Sequence, residues 1–165
     1  MIKARDIIVV GIQPWDIQIG SNCKNIALEF AKYNRVLYVN PPMTRAVMRS
    51  QSDKISIQKR IRIKNGEEQD LVEIESNLWN LYPKTLIESI NYIPVHVLFK
   101  ILNKKNAVGY AKDIKSAVSR LEFKNVILFN DSSMFLGLHL KSILQPEIYV
   151  YYMRDYLVKV PYWQF

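Results

Sequence analysis

The sequence has little cysteine, histidine and glycine, and each scarcity excludes a kind of structure. Its one cysteine, Cys23, excludes an intrachain disulfide. Its two histidines, His96 and His139, have no neighbours at metal-ligand spacing, so no metal site is predicted. With five glycines in 165 residues, most turns must be made by Asn, Asp, Ser and Pro. No uncharged apolar run reaches the ~18 residues that a membrane-spanning helix needs.

Several well-known phosphate-binding and nucleophile motifs are also missing. The chain has no G-x-x-x-x-G-K-[ST] loop and no G-x-S-x-G elbow. Gly11 and Gly20 lie too far apart for the G-x-G-x-x-G dinucleotide fingerprint. These absences argue against a P-loop enzyme and against a Rossmann-type dehydrogenase. No cofactor is expected, and no residue is assigned a catalytic role.

The charge of the chain is strongly positive. It carries 23 lysines and arginines against 15 aspartates and glutamates, a net charge of +8. Such a surface favours an anionic partner, although a solvated basic surface without a partner fits equally well. Nothing beyond charge points to nucleic acid, so no nucleic-acid partner is expected. The apolar run Ile7–Ile12 is too short for a signal-peptide core, and we expect a cytoplasmic protein.

The order of the apolar segments predicts an α/β fold. Ile7–Ile12 has the composition of a buried strand, a helix opens at Gly20–Asn22, and Val36–Val39 is a second strand. A strand, a helix and a strand follow later, at Asn125–Phe129, Met134–Leu144 and Ile148–Tyr152. We therefore expect one domain over residues 1–165, with a Rossmann-like open, mainly parallel sheet and helices on both faces.

The middle of the chain is less regular. Residues 43–58 are predicted to be a long, mobile loop with a short helix near Ala46–Arg49. Alternating polar and apolar residues predict short strands at the edge of the sheet, at Lys59–Lys64, Leu71–Glu75 and Asn77–Pro83.

Two helices are expected next, and both combine apolar residues with lysines. Pro94 opens the first, and the second runs from about Lys105 to Leu121. Their apolar stripes are formed by Val95, Leu98, Ile101 and Leu102 and by Ala107, Ala111, Ile114, Val118 and Leu121. Such helices either pack on the sheet in the ordinary way or rest on an anionic membrane surface.

Polar residues follow the strands at the edge where the carboxyl ends of a parallel sheet meet. Open α/β sheets bind ligands in the crevice at this edge, so we expect these residues to form one substrate-binding site. Helix starts there offer unpaired N–H groups to anionic or hydroxyl-rich ligands, and a loop tryptophan suits the face of a sugar. The candidates are Gln13, Trp15, Asp16, Gly20, Ser21, Asn22, Asn40, Asn130, Asp131, Ser132, Arg154 and Asp155.

Each candidate also has a purely structural interpretation. Four of them suit helix caps: Ser21, Asn22, Asp131 and Ser132. Trp15 fits a plug at the end of the sheet, and Arg154 and Asp155 fit a surface ion pair. Cys23 falls on the apolar stripe of the first helix, and we expect a core side chain rather than a nucleophile.

The segments that carry the candidate site resemble a known family. Val9–Asp16, Gly20–Ala27 and Val36–Pro42, together with Tyr151–Tyr156, resemble the N-terminal domain of bacterial GT-B glycosyltransferases. Within that fold, the chain looks like the N-terminal domain of enzymes that resemble the glycosyltransferases of teichuronic acid biosynthesis. The resemblance implies that this domain binds the acceptor and that a second Rossmann-like domain binds the nucleotide-sugar donor. A sugar then passes to an acceptor hydroxyl, usually without a metal.

The resemblance also implies partners and roles for this chain. We expect the donor-binding domain to be absent from residues 1–165, and the chain alone to lack full transferase activity. The expected partners are a nucleotide sugar, through the missing domain, and a glycan or lipid-linked acceptor of the cell envelope. Asp16 and Asp131 are expected to contact acceptor hydroxyls, and Arg154 a phosphate or carboxylate.

The alternative is a non-catalytic, flavodoxin-like binding module whose basic helices bind anions or the inner face of a membrane.

Overall fold

The structure, a computed structural model, describes residues 2–16, 20–91 and 93–154, and these contain six strands and five helices. They are β1 Asp6–Gly11, α1 Asn22–Ala31, β2 Arg35–Val39, α2 Arg45–Ser50, α3 Ile55–Asn65, β3 Leu71–Glu75, β4 Leu78–Leu81, α4 His96–Arg120, β5 Ile127–Asp131, α5 Met134–Leu144 and β6 Ile148–Tyr152. The predicted bounds of α5 and β6 are confirmed.

The strands form one mixed sheet in the order β3-β4-β2-β1-β5-β6. Every neighbouring pair is parallel except β3 and β4, which are antiparallel. The predicted Rossmann-like, mainly parallel sheet is confirmed, with the short strands of the middle segment at one side. From β1 the chain runs outward to β2 and to the edge strand β3, turns back to β4, and then crosses the sheet to β5. The strand order therefore reverses between β1 and β5, where sheets of this type hold their ligands.

Two hydrophobic cores lie on opposite faces of the sheet, as the prediction of helices on both faces requires. Ile7 and Val9 of β1 face α1, whereas Ile8 and Val10 face α4 and α5. This division follows from the two-residue period of a strand, which sends neighbouring side chains to opposite faces. The sheet is thus covered on both faces, and its carboxyl edge has an α1 side and an α4 side.

The middle segment differs from the prediction. The loop predicted over residues 43–58 is wrong, because α2 and the start of α3 occupy most of it, although the short helix near Ala46–Arg49 is confirmed as α2. The strand predicted over Lys59–Lys64 is also wrong, since these residues belong to α3. Gly66 ends α3 with a left-handed φ of 83°, which glycine adopts without a steric penalty. So short an alternation does not distinguish a strand from a helix.

Tertiary contacts explain why α3 is helical. The Arg60 guanidinium donates to the backbone oxygen of Pro41 at 2.9 Å, and Lys59 Nζ donates to the Tyr82 hydroxyl at 3.0 Å. Ile63 is buried, whereas Ile61 is only half-buried. The helix is therefore anchored by long basic side chains that reach the loop after β2 and the residue after β4, contacts that the sequence pattern does not reveal.

Helix α4 is a single continuous helix, so the prediction of two helices in this region is wrong. The two asparagines near the expected junction do not end the helix, because their side chains bond to other parts of the chain. Asn103 donates to the Phe135 carbonyl, and Asn106 bonds with the backbone of Glu88. The second predicted stripe, with Ala107 and Ile114, packs against the sheet as expected.

The first predicted stripe of α4 does not pack in this way. Its members Val95, Leu98 and Ile101 are exposed. The first half of α4 therefore presents an apolar surface that no described part of the chain covers.

Candidate functional site

The candidate residues that the structure describes lie at the carboxyl edge of the sheet, on its two sides. Gly11 pairs with Asp131 at the ends of β1 and β5. Asn130 and Asp131 were predicted in a turn, but both belong to β5, because its parallel pairing with β6 continues to Tyr152. Asp131 faces α1 and Asn130 faces α5, since neighbours on a strand point to opposite faces. Asp155 lies outside the described residues.

The loop after β1 is tied to β2 by hydrogen bonds. The Trp15 amide donates to Asn40 Oδ1 at 2.6 Å, and the Tyr38 hydroxyl donates to the Gln13 carbonyl at 2.7 Å. The Trp15 ring also packs edge-on against the Tyr38 ring, at 5.0 Å between centroids. Burial raises the pKa of the Tyr38 hydroxyl, which therefore stays protonated as a donor to this loop.

Both polar atoms of the Asn40 side chain form hydrogen bonds within the protein. It is fully buried, and its Nδ2 donates to Asn80 Oδ1 at 2.7 Å and to the Leu81 carbonyl at 2.9 Å. Its backbone oxygen accepts a hydrogen bond from the Tyr110 hydroxyl of α4 at 3.2 Å. Asn40 thus positions the Trp15 loop and the end of β2, and the structure gives it no free polar atom for a ligand.

Asp16 lies at the outer end of the Trp15 loop. Its Oδ1 is 3.8 Å from a guanidinium nitrogen of Arg60, which belongs to α3. Both residues line a small cavity of about 230 Å³ between the loops after β1 and β2 and the helices α2 and α3. Gly20, at the other side of the loop, is exposed and has open space around it.

A buried ion pair dominates the α1 side of the edge. Arg154 Nε donates to Asp131 Oδ1 at 2.8 Å, and Asp131 is fully buried. Its second oxygen, Oδ2, has no hydrogen-bond partner among the described residues. Burial raises the pKa of the nearby Cys23 thiol to about 12, with the charge of Asp131 adding to the effect. The prediction that Cys23 is a core side chain is confirmed.

The start of α1 completes this side. Ser21 is the N-cap, and its side chain accepts from the Lys24 amide at 3.2 Å, so the predicted capping role is confirmed. Asn22 donates from Nδ2 to the Tyr152 hydroxyl at 3.3 Å. The α1 side therefore brings Ser21, Asn22, Asp131 and Arg154 close to one another, largely through contacts within the protein.

On the α4 side, two further candidates have structural partners. Asn130 accepts from the Ser133 amide at 3.0 Å and donates to the Tyr149 hydroxyl at 2.9 Å. Ser132 has a left-handed φ of 59°, and its hydroxyl donates to the Tyr152 carbonyl at 3.2 Å. The N-cap of α5 is Ser133, so neither Asp131 nor Ser132 caps this helix as the sequence suggested.

A larger cavity, of about 330 Å³, opens on the α4 side between the loops after β1, β2 and β5. Its described lining combines apolar side chains with uncharged polar ones, and contains no lysine, arginine or histidine. The one acidic residue in this lining, Glu88, is paired with Arg45 at 2.7 Å. Among the candidates that the structure describes, only Ser132 borders the cavity. Cavities with an apolar wall and a few polar groups are the usual form of a small-molecule site.

The sequence analysis missed the polar residues that α4 contributes to this cavity. Asn103, Asn106 and Tyr110 line it, and all three are buried. They share one face of α4 with Ala107 at i, i+3, i+4 and i+7. Asparagines inside an otherwise apolar stripe are the signal that was available, because buried amides need hydrogen-bond partners.

Two further features of the described residues bear on function. No group of three or more His, Cys, Asp or Glu in them is arranged to hold a metal ion. None of the helices in the described ranges has the length and apolar character needed to cross a membrane.

Comparison with known proteins adds no family to this description. No family model matches the chain, and no curated protein matches it. A proposal about function must therefore come from the fold and from the geometry of the carboxyl edge.

Proposed function

We propose that this chain is the acceptor-binding domain of a glycosyltransferase that builds a cell-envelope polysaccharide. The observation that carries the proposal is the cavity without a cation in its described lining, at the carboxyl edge where the strand order reverses between β1 and β5. A wall of apolar and neutral polar groups suits the hydroxyls and ring faces of a glycan. On this proposal the acceptor enters from the loops after β1, β2 and β5.

The same cavity is poorly suited to the nucleotide-sugar donor. A diphosphate carries charge that is usually neutralised by cations, and the described lining contains no lysine, arginine or histidine. Arg154, which the sequence suggested as a phosphate contact, instead bonds to Asp131. The proposal therefore assigns the donor to a second domain, and it predicts no transferase activity for residues 1–165 alone.

Ligand titration followed by amide NMR tests this proposal. Octyl β-glucoside, below its micelle concentration, serves as a neutral glycoside, and UDP-glucose represents the donor. We expect the glycoside to shift the amides of Thr44, Ile90 and Ser133, which line the cavity, and UDP-glucose to leave them unchanged. Binding of UDP-glucose at this edge, without binding of the glycoside, would overturn the proposal.

A matched pair of variants checks that the cavity is responsible. Ser133→Glu places a charged side chain at the cavity, whereas Ser142→Glu makes the same change at an exposed position of α5. The first variant is expected to weaken glycoside binding and the second to leave it unchanged. Equal losses in both would show that the glycoside binds elsewhere.

A second candidate function has an observation of its own, the exposed apolar surface of α4. Val97, Leu98 and Ile101 are exposed by 66%, 45% and 59%. Exposed lysines accompany them on the same helix, at Lys100, Lys104, Lys105, Lys112 and Lys115. Apolar residues among lysines favour a helix that lies on an anionic membrane surface. As a basic, non-catalytic binding module, the domain would rest on the inner face of the membrane, and this role is compatible with a lipid-linked acceptor.

Vesicle sedimentation tests this second function. We expect the chain to sediment with phosphatidylglycerol-containing vesicles at low salt and less at high salt, because salt screens the lysines. Neutralising Lys104, Lys105, Lys112 and Lys115 is expected to weaken the binding. The control carries the same loss of charge at four exposed lysines elsewhere, Lys3, Lys54, Lys64 and Lys124. Equal losses in the two variants would exclude a specific role for α4.

A further inference from the structure

Asn103 presents an unfilled hydrogen-bond acceptor beside the α4-side cavity. The residue is 1% exposed and lines the cavity. Its Nδ2 donates to the Phe135 carbonyl at 3.0 Å, which orients the amide, but its Oδ1 has no partner among the described residues. A buried acceptor without a donor is costly, so a ligand that supplies the donor would recover that free energy.

The start of α5 supplies hydrogen-bond donors, rather than an acceptor, at the same cavity. Ser133, Met134 and Leu136 line it, and they belong to the N-cap and first turn of this 11-residue helix. The Ser133 side chain makes no capping hydrogen bond, so it satisfies none of the first-turn amides. Met134 and Leu136 lie in the first turn, where a helix leaves its backbone amides without an intrahelical acceptor. The hydrogen bond between Asn103 and Phe135 holds this donor end next to the unfilled acceptor.

We propose that Asn103 and the first turn of α5 form a subsite for a neutral hydroxyl group carried on an apolar body. A hydroxyl both donates and accepts, so it can satisfy Asn103 Oδ1 and a helix amide together. A carboxylate or a fully ionised phosphate has no proton to give Asn103. The apolar body packs on the remaining wall, to which Ile90, Pro42 and Phe135 contribute.

The charges around the cavity also favour a neutral ligand over an anionic one. The described lining offers no cation to an anionic ligand, and its one carboxylate, Glu88, is already paired with Arg45. This subsite rests on the proposed function, because it names the part of the acceptor that the cavity would hold. The substrate class is an alcohol flanked by apolar surface, such as a sugar hydroxyl next to a ring face or an alkyl chain.

Three ligands with the same octyl chain separate the contributions of the hydroxyl donors, the ligand charge and the alkyl chain to binding by the unchanged protein. Octyl β-glucoside carries hydroxyls, its fully O-methylated analogue carries none that can donate, and octyl phosphate carries a negative charge. We expect the methylated analogue to bind about 3- to 10-fold more weakly than the glucoside, the value of one hydrogen bond. Octyl phosphate is expected to bind more weakly still. Equal affinities for all three would mean that the octyl chain alone binds, and the subsite would be wrong.

Variants then test whether Asn103 is the acceptor. Asn103→Leu keeps a similar volume without the acceptor, and we expect it to weaken glucoside binding by about 3- to 10-fold while hardly affecting the methylated analogue. Asn65→Leu, at an exposed position at the end of α3, is the matched control and is expected to change neither affinity. Should Asn103→Leu not fold, the three ligands still decide the matter on the unchanged protein.

The outcomes distinguish this subsite from the proposed function. If the glucoside shifts cavity amides equally in the unchanged protein and in Asn103→Leu, the subsite is wrong and the acceptor-binding role stands. If the glucoside does not bind while UDP-glucose does, the acceptor-binding role fails and the subsite fails with it.

Discussion

Arg154, just beyond β6, donates from Nε to Oδ1 of Asp131, the last residue of β5, across 2.8 Å. Asp131 is fully buried, whereas the Arg154 side chain keeps 22% of its surface exposed. The pair closes the α1 side of the carboxyl edge and fixes the chain as it leaves the sheet.

Removing the cation of this pair should destabilise the fold. Arg154→Met leaves a buried carboxylate without its partner, and we expect the free energy of unfolding to fall by about 3 kcal/mol at neutral pH. The double variant Asp131→Asn/Arg154→Met removes both charges and should recover part of the loss. Urea denaturation of the single and double variants measures the coupling.

A surface pair provides the control for this cycle. Arg5 and Glu147 lie 2.8 Å apart with side chains 30% and 48% exposed, so Arg5→Met should cost less than about 1 kcal/mol. An equally small effect of Arg154→Met would contradict the view that Asp131 depends on its partner.

Cys23 should resist alkylation in the folded protein. Burial raises the pKa of its thiol from the usual 9.0 to about 12, so little thiolate is present at neutral pH. Iodoacetamide should therefore modify Cys23 rapidly in urea and very slowly without it, as followed by mass spectrometry. Rapid modification of the native protein would contradict the buried environment described for this residue.

The same shift makes stability depend on pH in the alkaline range. The pKa of the Cys23 thiol is higher in the folded than in the unfolded state, so the protonated thiol stabilises the folded protein. This stabilisation is fully present below pH 9 and is lost as the pH rises towards about 12. We expect a loss of about 1 kcal/mol by pH 10, measured by denaturation at several pH values. Cys23→Ala should show a smaller loss over this range. An identical pH dependence in both proteins would assign the effect to other groups.

Gly137 of α5 should tolerate no side chain. A Cβ added there would lie 2.0 Å from Asn130 Nδ2, which is held by the Tyr149 hydroxyl. Alanine normally stabilises a helix relative to glycine by up to about 1 kcal/mol, but here the clash should reverse the sign and cost about 1–3 kcal/mol. Thermal and urea denaturation measure it.

Gly20 is the control for this substitution. Apart from its neighbours in the chain, no described residue has an atom within 4 Å of a Cβ placed on Gly20, so Gly20→Ala should change the free energy of unfolding by less than about 0.5 kcal/mol. A stabilising effect of Gly137→Ala would mean that Asn130 can move away and that the close packing of α5 on β5 is not required.

Asn40 should be essential for the Trp15 loop. Asn40→Ala removes the acceptor of the Trp15 amide and leaves Asn80 Oδ1 without a donor, while the Leu81 carbonyl keeps only the backbone amide of residue 40, so we expect a loss of about 2–3 kcal/mol. Hydrogen exchange at the Trp15 amide should also accelerate. In contrast, Asn22→Ala, which breaks only the exposed bond to Tyr152, should have little effect on either measurement. Unchanged exchange in Asn40→Ala would show that other contacts hold the loop.

Local sequence signals predicted some elements well and others poorly. Met134–Leu144 was predicted with the observed bounds, because a polar turn precedes it and Pro146 follows it. Lys59–Lys64 was predicted as a strand, since so few residues fit both periods and α3 depends on contacts with distant loops. The continuity of α4 was missed because the partners of Asn103 and Asn106 are remote in the chain. Elements whose ends are marked by local sequence signals are therefore predictable, whereas elements that depend on contacts with residues remote in the sequence are not.

The sequence by itself determined the alternation of strands and helices, the two-faced pattern of β1 and the burial of Cys23. These features depend on short-range periodicity and on hydrophobicity, which are properties of neighbouring residues. Only the tertiary structure decided which polar groups are already occupied. Asn40 bonds to the Trp15 loop, one oxygen of Asp131 bonds to Arg154, and Asn103 has an unfilled acceptor in a residue that lines the α4-side cavity. Such differences arise because the sheet order brings distant segments together, and no local pattern encodes that order.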